Sequence, residues 1–293
     1  MALHDLALGP GSPLRKITLM VLLTAVAAWS SVGERYDDLR VVWNQPFHPF
    51  RTVGNIYYVG VAGISSFLIV TPEGSILLDG ALKESAPLIA NSISELGFRL
   101  RDVKYLLNSH VHYDHAGGLA ELKRRSGAQM VASGINAKYL AIGNEDVPAV
   151  GVDRVLDDEQ TIRLGDTTMT AHITPGHARG CTTWTTTTVE NGRRYRVLFY
   201  CGTSIVAPLV GNQSYPEIVA DYERSFEMLR GMSADVFFEM HPFRFDMDRK
   251  LRRVKAGAPN PFVDPTELGR FVDQSEREFR ERLAAEQKQK SPT

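Results

Sequence analysis

The sequence feature that most constrains this chain is a cluster of metal-binding side-chain types near position 110. His110, His112, Asp114 and His115 all fall within six residues. The apolar run 105–107 precedes them and predicts a buried strand, and a helical pattern follows them. The cluster is therefore predicted to lie at a strand-to-helix turn, where side chains converge at the edge of a sheet.

The spacing within this cluster suits two adjacent metal sites better than one. His110 and His112 are separated by two positions, so on extended chain they point the same way. Asp114 and His115 then turn toward a neighbouring point. Neutral imidazole together with carboxylate favours zinc-type ions. A chance polar loop is the alternative, but the density of ligand types between a strand and the glycine pair 117–118 argues against it.

Length and composition indicate an ordinary globular protein. The chain has 293 residues, of which 43% are hydrophobic and 23% charged, which is enough material for a large core in one or two domains. The formal net charge is -1 and no basic stripe is present, so we expect no nucleic-acid partner.

The N-terminus has the pattern of an export signal. An uncharged, mostly apolar run from Ile17 to Trp29 follows Arg15-Lys16. It is too short to span a bilayer, which takes roughly 20 residues, and an uncleaved anchor is the alternative. We therefore expect residues 1–28 to be a signal peptide and residues 29–293 to form a single domain that is periplasmic or secreted, with no membrane segment.

The chain has two cysteines, Cys181 and Cys201, at the outer ends of a predicted hairpin. In an exported protein, two cysteines at such positions favour a disulfide. Two buried free thiols are a second interpretation. A third is that Cys201 is a metal ligand.

The order of the predicted elements indicates an α/β fold with two similar halves. Strands, a helix, a strand and a helix are followed by a second set in the same order, which predicts two packed sheets with helices outside, a four-layer sandwich. The predicted strands span 55–59, 66–70, 75–79, 105–107, 152–155, 161–164, 167–173, 182–189, 195–200 and 235–238. The helices are predicted around 89–96 and 119–125, from Ser214, capped by a Ser214/Glu217 box, and from Asp264.

Two further histidines lie where strands end. His177 ends the turn 174–177, and His241 follows the strand 235–238. Strand ends can converge at one sheet edge, so both histidines are candidates for a composite metal site. Asp79 also ends a strand and is equally well explained as a residue that orients a metal ligand or as a carboxylate that begins a loop. His172 lies within a strand, and we expect it to pack rather than to bind metal.

Together these residues resemble the metallo-β-lactamase superfamily, and within it the third subclass of class B β-lactamases. The resemblance is carried by the pattern His-x-His-x-Asp-His with two downstream histidines. Supporting segments are Trp43-Asn44-Gln45-Pro46, Leu77-Leu78-Asp79-Gly80, Thr174-Pro175-Gly176-His177 and Gly257-Ala258-Pro259-Asn260-Pro261-Phe262.

The resemblance implies a four-layer αβ/βα sandwich with two zinc ions in a groove at one edge. The implied ligands of the first zinc are His110, His112 and His177. Those of the second zinc are Asp114, His115 and His241.

The resemblance also bears on the two cysteines. The subclass often pairs these positions, and both ligand sets are complete without a thiolate, which favours a Cys181–Cys201 disulfide. The wider superfamily often has a bridging Asp in the region of Cys201, and its lack here argues against glyoxalase-type thioesterases and many lactonases. Ser204 matches a serine that helps to hold the substrate carboxylate or a water, whereas Val206 departs from a second serine found in many members.

The activity that the resemblance implies is hydrolysis of the β-lactam amide bond of penicillins, cephalosporins and carbapenems by a zinc-bound hydroxide. Asp114 is expected to bind zinc and to orient this nucleophile, and the partner is a small molecule bound by a monomer. The alternatives are another metallo-hydrolase on this fold, such as an acyl-homoserine lactonase, and a non-catalytic exported zinc-binding relative.

Overall fold

The computed structural model describes residues 39–290, and two β-sheets form the framework of residues 44–290. The first sheet has seven strands in sequence order, antiparallel from β1 to β4 and parallel from β4 to β7. Its strands are β1 (Phe50–Val53), β2 (Ile56–Tyr58), β3 (Phe67–Thr71), β4 (Gly74–Leu78), β5 (Val103–Leu107), β6 (Gln129–Ser133) and β7 (Arg154–Leu156).

The second sheet has five strands in the order β12-β11-β10-β9-β8, and only the β11–β12 pair is parallel. Its strands are β8 (Thr161–Leu164), β9 (Thr167–Ile173), β10 (Thr182–Glu190), β11 (Arg193–Tyr200) and β12 (Val236–Glu239).

The α-helices lie mainly in the connections between strands. They are α1 (Ala86–Glu95), α2 (Tyr113–Ala116), α3 (Leu119–Ser126), α4 (Gly134–Ile142), α5 (Ile218–Gly231), α6 (Met247–Lys255) and α7 (Glu267–Lys290). Helices α5 and α7 pack on each other, and their buried residues include Ile218, Tyr222 and Phe279. The predicted four-layer α/β sandwich is confirmed.

The core lies between the two sheets and is rich in aromatic rings. The ring of Phe67 on β3 lies 5.0 Å from that of Phe199 on β11 and 4.7 Å from that of Phe238 on β12, measured between centroids. All three side chains are fully buried. Burying each such side chain contributes about 1.5–3 kcal/mol, so these contacts hold the sheets face to face.

The ends of several strands meet at one edge of this sandwich. Leu78 and Leu107, the last residues of β4 and β5, are register partners, and polar residues follow both. Across the edge, Thr182 N–H donates to the Ser109 carbonyl at 2.8 Å, and Ser65 N–H donates to the Met240 carbonyl at 2.9 Å. These hydrogen bonds tie the loops of one sheet to those of the other.

Two glycines let the loop after β5 pack closely. A Cβ at Gly118 would lie 2.2 Å from the Gly80 carbonyl oxygen, and one at Gly117 would lie 2.5 Å from the backbone nitrogen of Lys83. The backbone that approaches these glycines belongs to the loop after β4. The absence of a side chain at both glycines therefore allows the turn that carries the histidine cluster to pack against this loop.

The predicted start of helix α5 is wrong. The helix begins at Ile218, and Glu217 caps it without a side-chain hydrogen bond. The Ser214 hydroxyl instead donates to Asn212 Oδ1 at 2.8 Å, and the Glu217 carboxylate accepts from Arg179 Nη2 at 3.2 Å. The capping box is absent because both of its side chains are engaged elsewhere.

The remaining predictions from the sequence concern the N-terminal signal peptide and membrane segments. The predicted signal peptide, residues 1–28, lies outside it. Residues 39–43 are helical and belong to a unit separate from residues 44–290. Within the described part of the chain, none of the helices has both the length and the apolar character needed to cross a membrane.

Candidate metal centre

The first donor cluster consists of three imidazoles. His110 and His112 come from the turn after β5, and His177 comes from the turn after β9. His177 Nε2 lies 3.1 Å from His110 Nε2 and 3.1 Å from His112 Nδ1. Donor nitrogens of all three histidines lie within 4.8 Å of one another, which matches a site for one metal ion.

The second cluster adds a carboxylate. Asp114 and His115 lie on the short helix α2, and His241 follows β12. Asp114 Oδ2 is 3.4 Å from His115 Nε2 and 3.5 Å from His241 Nε2. The two clusters are adjacent, since the ring centroids of His110 and His115 are 4.3 Å apart. All six predicted ligand positions therefore meet at one edge of the sandwich.

Backbone carbonyls orient one histidine in each cluster. His177 Nδ1 is 2.6 Å from the Ser204 carbonyl oxygen, and His241 Nδ1 is 2.9 Å from that of Gly63. A carbonyl oxygen only accepts hydrogen bonds, so Nδ1 carries the proton in both rings. Nε2 is left as the ligating nitrogen of each histidine, which is how outer groups fix metal-binding histidines.

Asp79 lies beneath the second cluster. Its Oδ1 accepts from Ser109 N–H at 2.7 Å, and its Oδ2 is 3.6 Å from His115 Nδ1, an atom with no hydrogen-bond partner among residues 39–290. Burial raises the pKa of the Asp79 carboxyl to about 6, although His115 and Ser109 oppose this shift. Of the two interpretations that the sequence left open, the geometry favours orientation of His115.

The first cluster is a set of neutral imidazoles. Burial, reinforced by the neighbouring His112, lowers the pKa of His177 to about 3. Burial and the surrounding histidines hold the pKa of His110 well below its ordinary value, and burial lowers the pKa of His112. Unprotonated imidazole is the form that binds metal, so this donor set fits a metal ion at neutral pH.

The second cluster carries charge. Burial raises the pKa of the Asp114 carboxyl, but the imidazoles of His115 and His241 outweigh burial, and the pKa lies well below its ordinary value. For His115 the balance is reversed: burial lowers the pKa, Asp114 and Asp79 raise it more, and the net shift is upward. Burial and His115 lower the pKa of His241 to about 4. Asp114 is thus ionised and suits a cation.

The two cysteines form a disulfide next to the first cluster. The S–S distance is 1.97 Å, and the Cα atoms of Cys181 and Cys201 are 5.7 Å apart. Cys201 Sγ lies 3.4 Å from His110 Nδ1. With both sulfurs in this bond, neither cysteine offers a thiolate to a metal, so the predicted ligand sets are left without a Cys donor.

The sequence also singled out His172 and Ser204, and of these two only Ser204 lies at the clusters. His172 Nε2 lies 2.8 Å from Thr185 Oγ1 on the outer face of the second sheet, away from both clusters. Ser204 is at the site, because its carbonyl meets His177.

Several groups near the metal centre were missed from the sequence. Arg244 Nη2 donates to Ser204 Oγ at 2.8 Å, and Tyr222 Oη donates to the Ser204 carbonyl at 3.0 Å. The buried Glu239 accepts from His241 N–H at 2.6 Å, and burial raises the pKa of Glu239 to about 7 against the opposing effects of that hydrogen bond and of Arg244. Of these residues, only Glu239 could have been suspected from the sequence, because it lies at the end of a predicted strand.

A two-sheet α/β sandwich with two adjacent sets of nitrogen and oxygen donors at one edge defines a metal-dependent hydrolase fold. The chain belongs to the metallo-beta-lactamase superfamily, whose family model matches residues 59–241. This span includes all six ligand positions. Membership in the superfamily implies bound metal ions, typically zinc, and a hydrolase.

Two solved structures are similar over most of the chain. A subclass B3 metallo-beta-lactamase of Bradyrhizobium japonicum is 40% identical, with a TM-score of 0.81 over 85% of this chain and 98% of that one. A metallo-beta-lactamase from Legionella gormanii is 37% identical, with a TM-score of 0.80 over 83% of this chain and 98% of that one.

The curated relatives are more distant. A hydroxyacylglutathione hydrolase of Rhodopseudomonas palustris is 38% identical over 95 residues, which are 32% of this chain and 32% of that protein. The chain spans less than half the length of the curated relatives it matches.

Proposed function

We propose that this protein is a zinc-dependent hydrolase that opens the amide bond of β-lactams. The observation that carries the proposal is the juxtaposition of a neutral three-histidine cluster and a charged Asp-His-His cluster, with ring centroids as close as 4.3 Å. Similarity to a subclass B3 metallo-beta-lactamase over nearly the whole length of that protein supports the choice of substrate.

Two zinc ions fit these donors. His110, His112 and His177 would hold one ion, and Asp114, His115 and His241 would hold the other. Zinc prefers such sets of imidazole nitrogen and carboxylate oxygen. When bound, it lowers the pKa of coordinated water from 15.7 toward about 7 and polarises the carbonyl that is attacked.

The residues of the chain itself orient the reactants. Asp114 is ionised at neutral pH, so its carboxylate accepts a hydrogen bond from the attacking water and turns the oxygen lone pair toward the substrate carbonyl. The Ser204 carbonyl keeps the proton of His177 on Nδ1, and Gly63 does the same for His241. Asp79 holds the turn that carries His115 through its hydrogen bonds to Ser109.

We also propose that the protein acts outside the cytoplasm, in the periplasm or as a secreted monomer, on a small-molecule substrate. The apolar N-terminal run after Arg15-Lys16 and the Cys181–Cys201 disulfide support export, since disulfides persist in oxidising compartments.

The test is a substrate panel. The purified, zinc-loaded protein is assayed with a penicillin, a cephalosporin, a carbapenem, an acyl-homoserine lactone and an S-acylglutathione, each with and without EDTA. We expect turnover of β-lactams that EDTA abolishes. Hydrolysis of the lactone or the thioester alone would replace β-lactams as the substrate, and zinc binding without any turnover would indicate a non-catalytic relative.

A further inference from the structure

The chain between β11 and α5 is an irregular loop that begins at the metal centre. Residues 201–217 contain no helix or strand. The loop meets the first cluster at Ser204, whose carbonyl accepts a hydrogen bond from His177 Nδ1 at 2.6 Å. Two positions further on, Val206 is 65% exposed. Long loops inside compact domains are usually functional, and this one forms part of the wall around the metal centre.

The first half of this loop is not held by backbone pairing. Among residues 39–290, no backbone–backbone hydrogen bond involves residues 202–211. Backbone N–H and C=O groups that lack such partners are satisfied by side chains or by water. The conformation of this part of the loop therefore depends on side chains from other elements.

Glu286, near the end of α7, supplies an acceptor for two of these backbone groups. Its Oε2 accepts from Leu209 N–H at 2.7 Å and from Val210 N–H at 3.0 Å. The side chain of Leu209 is buried in the core, so the loop is held from two sides at this point. Hydrogen bonds to an ionised carboxylate are roughly twice as strong as neutral ones, which makes this the main polar contact of the segment.

Two neighbours of Glu286 on α7 complete the contact. Arg282, Glu286 and Lys290 are spaced by four residues, so they lie on one face of the helix. Arg282 Nε donates to Glu286 Oε1 at 2.6 Å, and Lys290 Nζ donates to the Val210 carbonyl. We call these three residues the α7 clasp. The clasp contacts both the N–H and the carbonyl of Val210.

The carboxylate of the α7 clasp is ionised at neutral pH. Partial burial raises the pKa of Glu286, but the hydrogen bonds from Val210 N–H, Arg282 and Leu209 N–H lower it more, and the net shift is downward. Its bonds to the loop are therefore charge-assisted.

The start of the loop has supports that do not involve the clasp. Tyr222 Oη donates to the Ser204 carbonyl at 3.0 Å, and Arg244 Nη2 donates to Ser204 Oγ at 2.8 Å. For residues 205–210, by contrast, Glu286 and Lys290 are the only hydrogen-bond partners outside the loop within residues 39–290. Loss of Glu286 would thus release this segment and leave Ser204 in place.

We infer that Glu286 is a positioning residue for the hydrolase reaction, which fixes residues 205–210 so that the wall beside the metal centre is already formed when the substrate binds. The inference rests on the proposed hydrolase function. Glu286 touches neither the metal ligands nor the reacting bond, and it acts only through Leu209 and Val210. A preformed wall avoids the entropy cost of ordering the loop on binding, so its loss should raise KM and leave kcat unchanged.

Amide hydrogen exchange of the zinc-loaded protein tests the contact itself. Glu286→Ala should speed exchange at the amides of Leu209 and Val210 by about 10- to 100-fold, because both lose their acceptor. Glu286→Gln keeps an acceptor oxygen without the charge and should give an intermediate rate. Glu281→Ala, which alters an exposed residue on the same helix, is the matched control and should exchange as the wild type does. Unchanged exchange in Glu286→Ala would overturn the inference.

Steady-state kinetics with one penicillin test the effect on the reaction. Glu286→Ala should raise KM by about 3- to 10-fold and change kcat by less than about twofold, and Glu286→Gln should restore part of the KM. Zinc content is measured in every variant and should stay unchanged. A fall in kcat at constant KM, or a loss of zinc, would overturn the inference and make Glu286 a residue of general structural importance. An unchanged KM would overturn it as well.

Failure of the proposed function gives a different result. If the wild-type protein hydrolyses no β-lactam, calorimetric titration with the intact penicillin replaces the kinetics, and the exchange measurement stands as it is. Weaker binding to Glu286→Ala than to the wild type, together with faster exchange at Leu209 and Val210, would still support the positioning role. Equal binding to both proteins, or binding to neither, would overturn it.

Discussion

The two donor clusters differ in where protons lie in the metal-free protein. The first contains only imidazoles, which burial and mutual proximity keep neutral. The second contains Asp114, whose carboxylate raises the pKa of His115 against the effect of burial. One cluster thus presents free lone pairs, and the other holds an internal pair between an acid and a base.

This difference means that a metal ion would face different competition from protons at the two clusters. A metal ion at the first cluster fills a gap between nitrogen atoms that otherwise face one another at 3.1 Å. An ion at the second cluster would compete with protonation of His115, whose pKa Asp114 raises, and the charge of Asp114 would compensate the cation. At the first cluster, burial keeps the nitrogens unprotonated. At the second cluster, the negative charge of Asp114 attracts the cation.

Removing an imidazole from the first cluster should have the largest effect. We expect His177→Ala to lose about one zinc per chain and to lower turnover by roughly 1,000-fold or more, because a Lewis acid is removed. Metal analysis and steady-state kinetics measure both. His172→Ala, on the outer sheet face, is the matched control and should retain both zinc and activity. Full zinc content in His177→Ala would remove that residue from the ligand set.

Removing the charge of Asp114 should abolish the difference in histidine protonation between the two clusters. In Asp114→Asn, the carboxylate that most raises the pKa of His115 is removed, so burial is opposed less and this pKa should fall in the metal-free protein. Turnover should drop by about 100- to 1,000-fold, since Asp114 binds metal and orients the attacking water. NMR titration of the histidine rings measures the shift.

The control for this variant is Asp246→Asn, which changes an exposed carboxylate on the 3-10 turn after His241. It should leave the pKa of His115 unchanged. A raised pKa of His115 that persists in Asp114→Asn would show that Asp114 does not set the proton balance of the second cluster.

Weakening the orientation of His115 should have a smaller effect. We expect Asp79→Asn to reduce zinc affinity at the second cluster by about 10- to 100-fold and to leave the first cluster filled, because Asp79 lies beside His115 and, within residues 39–290, reaches His110 only through the Ser109 hydroxyl. Competition with a chromophoric chelator measures both affinities. Equal losses at both sites would mean that the substitution distorts the whole edge.

Acidification should lower the zinc affinity of the second cluster relative to that of the first by about tenfold per pH unit. The pKa of His115 is raised above its ordinary value, so protons compete with metal at this histidine at a higher pH than at an ordinary one. The pKa of His177 is lowered to about 3, so protons compete with metal at that nitrogen only in strong acid. Zinc retained after dialysis at decreasing pH should therefore leave the second site first. Loss of the first site before the second, assigned by comparison with Asp114→Asn, would reverse this order.

The sequence was informative where local pattern and fold agree. Strand β5 ends at Leu107, three positions before His110, and β12 ends at Glu239, two positions before His241. Strand ends at a common edge explain why the cluster 110–115 and the distant His177 and His241 could be assigned to one centre. The stripe Ile218, Tyr222, Phe226 and Leu229 was also predicted, and all four side chains are buried.

What the sequence could not reveal depends on tertiary contacts. Helix α6 was missed although Met247, Leu251 and Val254 are spaced as on one face of a helix, and its other six residues are charged. Its Lys250 is buried against Glu267, to which it donates a hydrogen bond at 2.7 Å. The short strand β6 gave too weak a signal between two helices. No sequence pattern indicates that Arg244 lies near the metal centre, since this follows from its hydrogen bond to Ser204, 40 positions earlier.

The most direct test of the central claim is a stepwise zinc titration of EDTA-stripped protein, followed by native mass spectrometry and by hydrolysis of a penicillin in the same samples. We expect two zinc ions per chain and β-lactam turnover that requires bound zinc. A single ion at saturation, or two ions without β-lactam hydrolysis, would contradict the assignment of the two clusters to one catalytic centre.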